Sequence, residues 1–270
     1  MTSTVFITGA SRGVGHACAV AFLAAGWNVY ATARDPEKID IAFTERLATA
    51  QLDVGNDASI SATAADAIAR FGSVDVLLNN AGIGLGGPVE ALSREKFHAL
   101  LDVNLVGAAL VTKALLPGMR ENRRGMIINI GSLAGAVGLP YLAPYCASKF
   151  ALAGLSEAMR YELAPYGIRV KLVELTGSRT QFKQPILSHE AYEPEAAVVE
   201  QRLREGLSSA APPETVAEEI LRIACSRSDR LRYVVGADSL LPRIKRFVPD
   251  KMLRSTLTRA FGLRRSGPSK

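Results

Sequence analysis

The segment YCASKFAL, residues 145–152, places a tyrosine four positions before a lysine inside an apolar, helix-like stretch. Side chains four residues apart lie on the same face of a helix, so the phenol of Tyr145 and the ammonium of Lys149 are expected to be neighbours. A free tyrosine has a pKa of about 10, and a nearby positive charge favours its phenolate. The pair therefore predicts proton-transfer chemistry, although a core tyrosine beside a lysine whose stem covers apolar surface has the same spacing.

A second segment with chemical meaning is TGASRGVG, residues 8–15, which joins a short β-branched run, TVFITG, to a helical pattern, GHACAVAFLAAG. Its three glycines permit a tight turn, let the backbone approach a phosphate closely and leave the helix N-terminus free to bind an anion. A glycine triplet alone is weak evidence. Its place between the first strand and the first helix of an α/β pattern predicts a dinucleotide phosphate-binding turn rather than a merely tight loop.

The elements that must position these groups alternate along the chain. Apolar strands alternating with amphipathic helices indicate a parallel sheet covered on both faces, that is, an α/β, doubly wound (Rossmann) fold of about seven strands. The predicted strands are TVFITG, WNVYATAR, TAQLDV, VDVLLNN, GMIINIGS, IRVKLVEL and LRYVV, and the main predicted helices cover 57–71, 93–119, 144–166 and PETVAEEILRIACS.

One domain is expected over residues 1–241, followed by a basic extension over 242–270. Residues 178–212 mix polar and apolar residues with several prolines, which indicates a mobile excursion rather than a core element. Its Phe182, Pro185, Ile186, Leu187 and Tyr192 would suit an apolar substrate.

Charge and cysteine usage exclude several classes of protein. The net charge is +6, but the extension alone carries nine basic residues and one acid, so the preceding 241 residues are close to −2 by difference, which argues against a nucleic-acid-binding domain. Three widely spaced cysteines predict no disulfide framework and fit a reducing cytoplasm. No signal segment or uninterrupted membrane-spanning run is evident. Three scattered histidines predict no metal site.

The ordered motifs resemble the classical short-chain dehydrogenase/reductase family from about residue 4 to residue 236. They are TGASRGVG, LDV at 52–54, NNAG at 79–82, Asn104 in DVNLVGA, Ser132 in INIGS and YCASK. The stretch from residue 138 to 170 is similar to hydroxysteroid and retinol dehydrogenases. The resemblance implies an oxidoreductase that interconverts a secondary alcohol and a carbonyl by hydride transfer, and it implies a homo-oligomer, a dimer or tetramer.

The same resemblance implies a role for each motif residue. Tyr145 would be the acid or base, Lys149 would also bind the nicotinamide ribose, and Ser132 would hold the substrate oxygen. Asn104 would support a proton relay through a water. The residues expected to bind the cofactor are Gly9, Ser11, Arg12, Gly13, Val14, Gly15, Arg34, Asp53, Val54, Asn80, Ala81, Gly82, Tyr145, Lys149 and Thr180.

Cofactor choice depends on the end of the second strand. An NAD enzyme usually has an acid there to bind the ribose 2′-hydroxyl, whereas this chain has Ala33 followed by Arg34. Arg34 and Arg12 could together bind a 2′-phosphate, which favours NADP(H). Asp35 keeps NAD(H) as the alternative.

Two features depart from the family or extend beyond it. Leu175 and Thr176 stand where the family usually has Pro-Gly, which leaves the path of the following loop open. In the extension, Leu253, Leu257, Ala260 and Phe261 recur at roughly helical spacing among arginines, including Arg264 and Arg265. This amphipathic helix predicts either peripheral contact with anionic lipid or a helix packed over the substrate pocket or a neighbouring subunit.

Two other classes of function remain as alternatives to a hydride-transfer enzyme. One is a non-catalytic regulator that binds NADP(H). The other is an epimerase or dehydratase that shares the tyrosine–lysine spacing, although such proteins usually carry a different glycine pattern and a longer C-terminal domain.

Overall fold

The computed structural model describes residues 2–180, 182, 184–236 and 247–263. A single seven-stranded parallel sheet has the strand order β3-β2-β1-β4-β5-β6-β7. The order reverses between β1 and β4, which opens a crevice at the carboxyl ends of these strands where ligands bind in such sheets. The strands are β1 Thr4–Thr8, β2 Asn28–Ala33, β3 Leu47–Gln51, β4 Val76–Asn79, β5 Gly125–Ser132, β6 Ile168–Leu175 and β7 Arg232–Val235.

Helices cover both faces of the sheet. They are α1 Gly13–Ala24, α2 Asp57–Phe71, α3 Arg94–Leu101, α4 Gly107–Glu121, α5 Ala143–Leu163, α6 Glu193–Ser208, α7 Pro213–Cys225 and α8 Asp250–Ala260. Alternate residues of β1 point to opposite faces: Val5 and Ile7 pack with α1 and α7, whereas Phe6 packs with α2, α4 and α5. The predicted doubly wound α/β fold is therefore confirmed.

The excursion at 178–212 is the main error in the predicted elements. It contains α6, a helix of 16 residues with Pro194 in its first turn and with Ala196 and Val199 buried. Proline suits the first turn of a helix because its missing N–H has no partner to lose there. Pro194, one of the prolines that indicated a loop, therefore marks the beginning of a helix.

The predicted helix 93–119 is interrupted by a π-helical turn, Asp102–Val106, between α3 and α4. The next residue, Gly107, lies against the connection between β3 and α2. A Cβ atom at Gly107 would be 2.7 Å from the Val54 carbonyl oxygen in that connection. Single π-turns often occur at functional sites. This one carries Asn104, which is buried.

By length and composition alone, the continuous helical stretch Arg94–Glu121 is apolar enough to cross a membrane. In the structure, however, its buried residues Leu100, Val111, Leu115 and Met119 pack into the protein core. The stretch therefore has the properties of a core helix, which passes the same test of length and apolar composition.

Candidate active site

The glycine turn between β1 and α1 has a backbone that only glycine fits well. Gly9 has a φ of 71° and Gly13 a φ of 58°, both in the left-handed region. A Cβ atom on Gly15 would lie 2.4 Å from the Gly9 carbonyl oxygen and 2.4 Å from Asn80 Nδ2. No side chain caps the N-terminus of α1, and its first turn carries no acidic residue. The turn therefore offers an open helix terminus to an anion.

Two polar residues brace this turn: Thr8 at the end of β1 and Asn80 just after the neighbouring strand β4. Asn80 Nδ2 donates to the carbonyl oxygens of Thr8, at 2.9 Å, and Gly9, at 3.0 Å. Thr8 Oγ1 in turn accepts from the backbone N–H groups of Asn80, at 3.0 Å, and Ala81, at 2.9 Å. Asn80 and Ala81 were predicted as site residues, whereas Thr8 was not, although it opens the TGASRGVG motif.

A cleft of about 620 Å³ runs from the glycine turn, along the carboxyl ends of the central strands, to helices α6 and α8. It brings together almost all the predicted site residues. The two that do not line it are Gly15, which lies beneath the turn, and Asn104, which is buried behind it. The predicted residues that line it are Gly9, Ser11, Arg12, Gly13, Val14, Arg34, Asp53, Val54, Asn80, Ala81, Gly82, Ser132, Tyr145, Lys149 and Thr180.

The residues that bear on cofactor choice differ in their surroundings. Arg12 and Arg34 are exposed at the cleft, and neither makes an ion pair within the described part of the chain. Asp35 Oδ2 lies 2.5 Å from Lys38 Nζ, and the hydrogen bond from Lys38 lowers the pKa of that carboxyl. Asp35 does not line the cleft. Asp53 does, and its Oδ1 accepts from Gly55 N–H at 3.0 Å.

Tyr145 lies in the first turn of α5, beside Ser132 at the end of β5. Burial raises the pKa of Tyr145 to about 12, and a hydrogen bond from the Ser132 side chain offsets only part of this rise. Ser132 Oγ also accepts from Ala134 N–H at 3.1 Å, which fixes its orientation. In the protein alone, the tyrosine therefore holds its proton at neutral pH.

Lys149 is buried one helical turn further along α5. Its Nζ donates to the Ile130 carbonyl oxygen at 2.9 Å and lies 5.8 Å from the centre of the Tyr145 ring. Burial lowers the pKa of Lys149 to about 8. Its ammonium is directed towards the Ile130 carbonyl oxygen, and burial dominates the pKa of Tyr145 in the protein alone.

Asn104 is held by three hydrogen bonds. Its Oδ1 accepts from Ile83 N–H at 2.8 Å, and its Nδ2 donates to the Ile83 carbonyl oxygen at 2.9 Å and to Ser148 Oγ at 3.1 Å. Ser148 Oγ donates to the Tyr145 carbonyl oxygen at 2.8 Å. A Cβ atom on Gly82 would lie 3.3 Å from Asn104 Oδ1 and 3.8 Å from Lys149 Nζ, so the amide lies close to the lysine.

Leu175 and Thr176, which replace the usual Pro-Gly at the end of β6, still let the following loop reach the glycine turn. Thr176 N–H donates to the Val235 carbonyl oxygen at 3.0 Å, which continues the pairing of β6 with β7 by one residue. Gly177, with a φ of 135°, then turns the chain. Thr180 reaches the glycine turn, where a Cβ atom on Gly13 would lie 3.2 Å from Thr180 Cβ.

The residues proposed for an apolar substrate divide into two groups. Phe182, Ile186 and Leu187 pack against the buried cluster that contains Tyr145, and the rings of Phe182 and Tyr145 are 6.1 Å apart. Tyr192 instead donates from Oη to Glu90 Oε2 at 3.0 Å, and Pro185 is exposed. Of the five residues, only Phe182 lines the cleft.

Helix α8 lines part of the same cleft, together with residues of α6. Three of its predicted apolar positions, Leu257, Ala260 and Phe261, line the cleft, and Leu253 is half-buried beside them. Arg264 and Arg265 lie outside the described residues. The apolar stripe therefore borders the cleft, although no residue of α8 is buried.

Other reactive groups in the site have simpler surroundings. Cys146 is buried, and its Sγ accepts from Leu139 N–H at 3.3 Å. The described part of the chain contains no group of three His, Cys, Asp or Glu side chains that could hold a metal ion.

A parallel sheet with a glycine turn at its switch point defines a Rossmann-type dinucleotide-binding fold. The sequence matches the short chain dehydrogenase family over residues 3–191, so the chain belongs to this family of oxidoreductases. It is 34% identical over 274 residues to human 17-beta-hydroxysteroid dehydrogenase type 1, covering 92% of this chain and 81% of that protein. This match supports the relationship to hydroxysteroid dehydrogenases that the sequence motifs indicated.

Solved structures agree with this assignment. A short-chain dehydrogenase from Streptomyces avermitilis superposes with a TM-score of 0.83 at 33% identity, covering 96% of this chain and 97% of that chain. A metagenomic short-chain oxidoreductase solved in complex with NADP has a TM-score of 0.70 at 31% identity, covering 86% and 96%.

Proposed function

We propose that this protein is an NADP(H)-dependent oxidoreductase that interconverts a secondary alcohol and its carbonyl compound by hydride transfer. The observation that carries the proposal is the meeting of Ser132, Tyr145 and Lys149 in a cleft that continues to an open phosphate-binding turn. Each of the three contributes a group that the reaction needs: a hydroxyl, a phenol and an ammonium.

In the direction of reduction, Tyr145 donates its phenolic proton to the substrate oxygen as the carbonyl carbon accepts a hydride. The nicotinamide, when bound, supplies that hydride. Ser132 positions the substrate oxygen, and its hydroxyl stabilises the phenolate that remains. The ammonium of Lys149 provides positive charge in the same buried space. Alcohol oxidation uses the same groups in reverse, with the phenolate as base.

Asn104 acts on this chemistry through other groups. Its amide joins the Ile83 backbone to Ser148, which bonds to the backbone of Tyr145. Both protons of the amide are used in these bonds, so Asn104 holds the π-helical turn and α5 in register. Its Oδ1 keeps one lone pair, at which a water would complete the proton relay expected from the family resemblance.

The preference for NADP(H) rests on the exposed guanidiniums of Arg12 and Arg34. Both line the cleft beside the glycine turn, and neither has a described carboxylate partner that would compete with a 2′-phosphate. Asp35, the residue that would favour NAD(H), is engaged by Lys38 away from the cleft. The structural relative bound to NADP is consistent with this preference.

An apolar substrate is supported by the lining of the cleft beyond Tyr145. Leu139, Leu142, Phe182 and Leu203 belong to or pack against the cluster that contains the tyrosine. The similarity to a hydroxysteroid dehydrogenase points in the same direction.

The test is a screen of ketones and secondary alcohols with NADPH or NADP⁺, following the absorbance of the reduced cofactor. Substrate-dependent change of that absorbance supports the proposal. NADPH binding without turnover on any compound would instead favour the non-catalytic regulator, and isomerised or dehydrated product without net cofactor oxidation would favour the epimerase or dehydratase.

Peripheral membrane contact, a cytoplasmic location and assembly into a dimer or tetramer stay predictions. The placement of Leu257 and Phe261 in the cleft favours a covering role for α8 over lipid binding. Sedimentation with anionic vesicles at low salt tests the membrane prediction, and light scattering tests the oligomer.

A further inference from the structure

The part of the cleft here called the substrate end is lined by α6, α8, Phe182 and Gln184. Its walls are largely apolar. Leu203 and Leu207 come from α6, Leu257 and Ala260 come from α8, and Phe261 directly follows α8. An aliphatic or alicyclic substrate body fits such walls because burial of apolar surface is favourable.

Arg202 departs from this apolar character. It lines the substrate end, and of the described residues there it is the only one with a charged side chain. The remaining ionisable residues of the cleft lie elsewhere: Arg12, Arg34 and Asp53 are near the glycine turn, and Tyr145 and Lys149 are at the centre.

The local partners of Arg202 leave most of its guanidinium available. Its Nη1 lies 3.1 Å from Glu205 Oε2, with 53% and 49% of the two side chains exposed. Exposed pairs of this kind contribute little, so a ligand anion can compete for the guanidinium. Glu205 also accepts from Gln201 Nε2 at 2.8 Å and would keep that partner.

The segment that follows α8 approaches α6 beside Arg202. Gly262 has a φ of 67°, and a Cβ atom there would lie 2.8 Å from Val198 Cγ1 and 3.8 Å from Arg202 Nε. The absence of a side chain at Gly262 therefore lets the two helices approach beside the arginine. This contact also allows a purely structural role for Arg202, which the experiment must separate from ligand binding.

A second hydrogen-bond donor in the same cleft, the side-chain amide of Gln184, has no partner among the described residues. Gln184 lines the cleft, and its Nε2 is buried without a hydrogen-bond partner in the part of the chain that the structure describes. Buried donors are nearly always satisfied, so an oxygen of a bound ligand would complete this site. The substrate end thus offers two donors, Gln184 and Arg202, to a ligand that supplies oxygen acceptors.

We propose that the substrate is an elongated, amphipathic carbonyl compound whose end remote from the reacting carbon carries a carboxylate that binds Arg202. Its apolar body lies between α6 and α8, and an oxygen along that body accepts from Gln184. This inference rests on the proposed oxidoreductase function for the position of the reacting carbonyl beside Tyr145. It adds a specificity-determining residue in the part of the cleft that α6 and α8 line.

The experiment compares straight-chain keto acids of increasing length with their methyl esters, using NADPH and the full chain. For at least one length, the wild-type protein is expected to favour the acid over the ester by about tenfold in kcat/KM, because a charge-assisted hydrogen bond is lost in the ester. Arg202→Met should remove that preference and leave the rate on the ester unchanged, and Arg202→Lys should retain part of it. Arg204→Met is the matched control, since Arg204 is on the same helix, pairs with Glu200 and does not line the cleft.

The outcomes separate the inference from the function on which it rests. Equal rates on acid and ester at every length, or a loss on both in Arg202→Met with a lower melting temperature, would overturn the role of Arg202 while leaving the oxidoreductase function intact. If no carbonyl compound is reduced, the proposed function is wrong. Calorimetric titration with unreactive straight-chain carboxylates and their esters then tests the site directly: carboxylate-selective binding that Arg202→Met abolishes supports the site, and its absence refutes it.

Discussion

The two halves of the cleft are built in different ways. At the glycine turn, the binding surface is largely backbone, and Thr8 and Asn80 tie it to the central strands through hydrogen bonds of 2.9 and 3.0 Å. At the substrate end, the surface consists of side chains on helices that lie outside the sheet. Helix α8 has no buried residue at all within its span, whereas α1 has six.

The two parts of the cleft therefore differ in how freely they can vary. The cofactor half is constrained by its backbone, whereas the substrate end can change its specificity through its side chains. A backbone surface braced by the sheet can accept few substitutions, because a Cβ atom at Gly15 would collide with the turn itself. Half-exposed side chains on α6 and α8 can be exchanged at little cost to the fold. Tyr145 stands at the boundary, with Ser132 of the sheet on one side and Phe182 of the substrate end on the other.

Removing the group at this boundary should have the largest effect. Tyr145→Phe deletes one oxygen and keeps the ring against Phe182, so NADPH binding should be retained while kcat falls by about 10²–10⁴-fold. Steady-state kinetics on an active ketone, with NADPH affinity measured by fluorescence titration, provide the check. A kcat close to that of the wild type would reject Tyr145 as the acid.

The rigidity of the cofactor half is tested by Gly15→Ala. Overpacking of this kind costs about 1–3 kcal/mol, and if the turn shifts to relieve it, NADPH affinity should fall by about fivefold to 150-fold. Gly118→Ala is the matched control, because a Cβ atom at Gly118 in α4 has no neighbour within 4 Å. Fluorescence titration measures both affinities, and circular dichroism verifies that both variants are folded. Unchanged affinity in Gly15→Ala would show that the turn is more adaptable than its geometry indicates.

The buried ammonium at the centre predicts a pH dependence. Burial lowers the pKa of Lys149 to about 8, below its ordinary value, so the charge is present below this pH and is lost as the pH rises through it. Tyr145, with a pKa of about 12, stays protonated over the same range. The kcat/KM for NADPH in ketone reduction should therefore be level below about pH 8 and decline by about tenfold per unit above it.

Lys149→Arg separates this ionisation from others. Arginine keeps its charge throughout the range, so any activity that the variant retains should not decline near pH 8. A wild-type profile that stays level to about pH 10 would contradict the assignment of this ionisation to Lys149.

The same contrast explains how much the sequence could predict. The bounds of β5, β6 and α2 follow from local patterns, and the structure places them where the patterns indicated, at Gly125–Ser132, Ile168–Leu175 and Asp57–Phe71. The motif residues of the cofactor half were also identifiable, because a backbone turn needs particular residue types at fixed spacing.

What the sequence could not provide depends on tertiary contact. The raised pKa of Tyr145 results from burial, which no local pattern measures. Arg202 was missed because it reads as one of several exposed charges on a helix, and only the approach of α8 makes it part of the cleft. Helix α6 itself was detectable, since Ala196, Val199, Leu203 and Leu207 recur at helical spacing.

Replacing Arg12 or Arg34 should change cofactor selectivity by less than the substitutions at Tyr145 and Gly15 change their measured quantities. Both arginines are exposed, and solvent screens their charges. Alanine at either position is expected to weaken NADPH binding by about tenfold and to leave NADH binding nearly unchanged. Arg46→Ala, an exposed arginine outside the cleft, is the control. Titration with both cofactors measures the ratio, and tighter binding of NADH than of NADPH by the wild-type protein would overturn the NADP(H) assignment.

The smallest effect is expected at the substrate end of the cleft. Phe261 lines the cleft but remains half-exposed, so Phe261→Ala removes only part of an aromatic contact, worth about 1 kcal/mol. The KM for a long apolar ketone should rise by about fivefold, while kcat, NADPH affinity and the kinetics of a short ketone stay the same. Met252→Ala is the matched control on the same helix, because Met252 is 61% exposed and does not line the main cleft. Equal effects of the two substitutions, or an equal rise in KM for long and short ketones, would mean that α8 stabilises the protein without contacting the substrate. A rise in KM for the long ketone alone would instead show that α8 and the residue after it select substrates by length, although α8 has no buried residue. This result is expected where specificity depends on side chains rather than on the sheet.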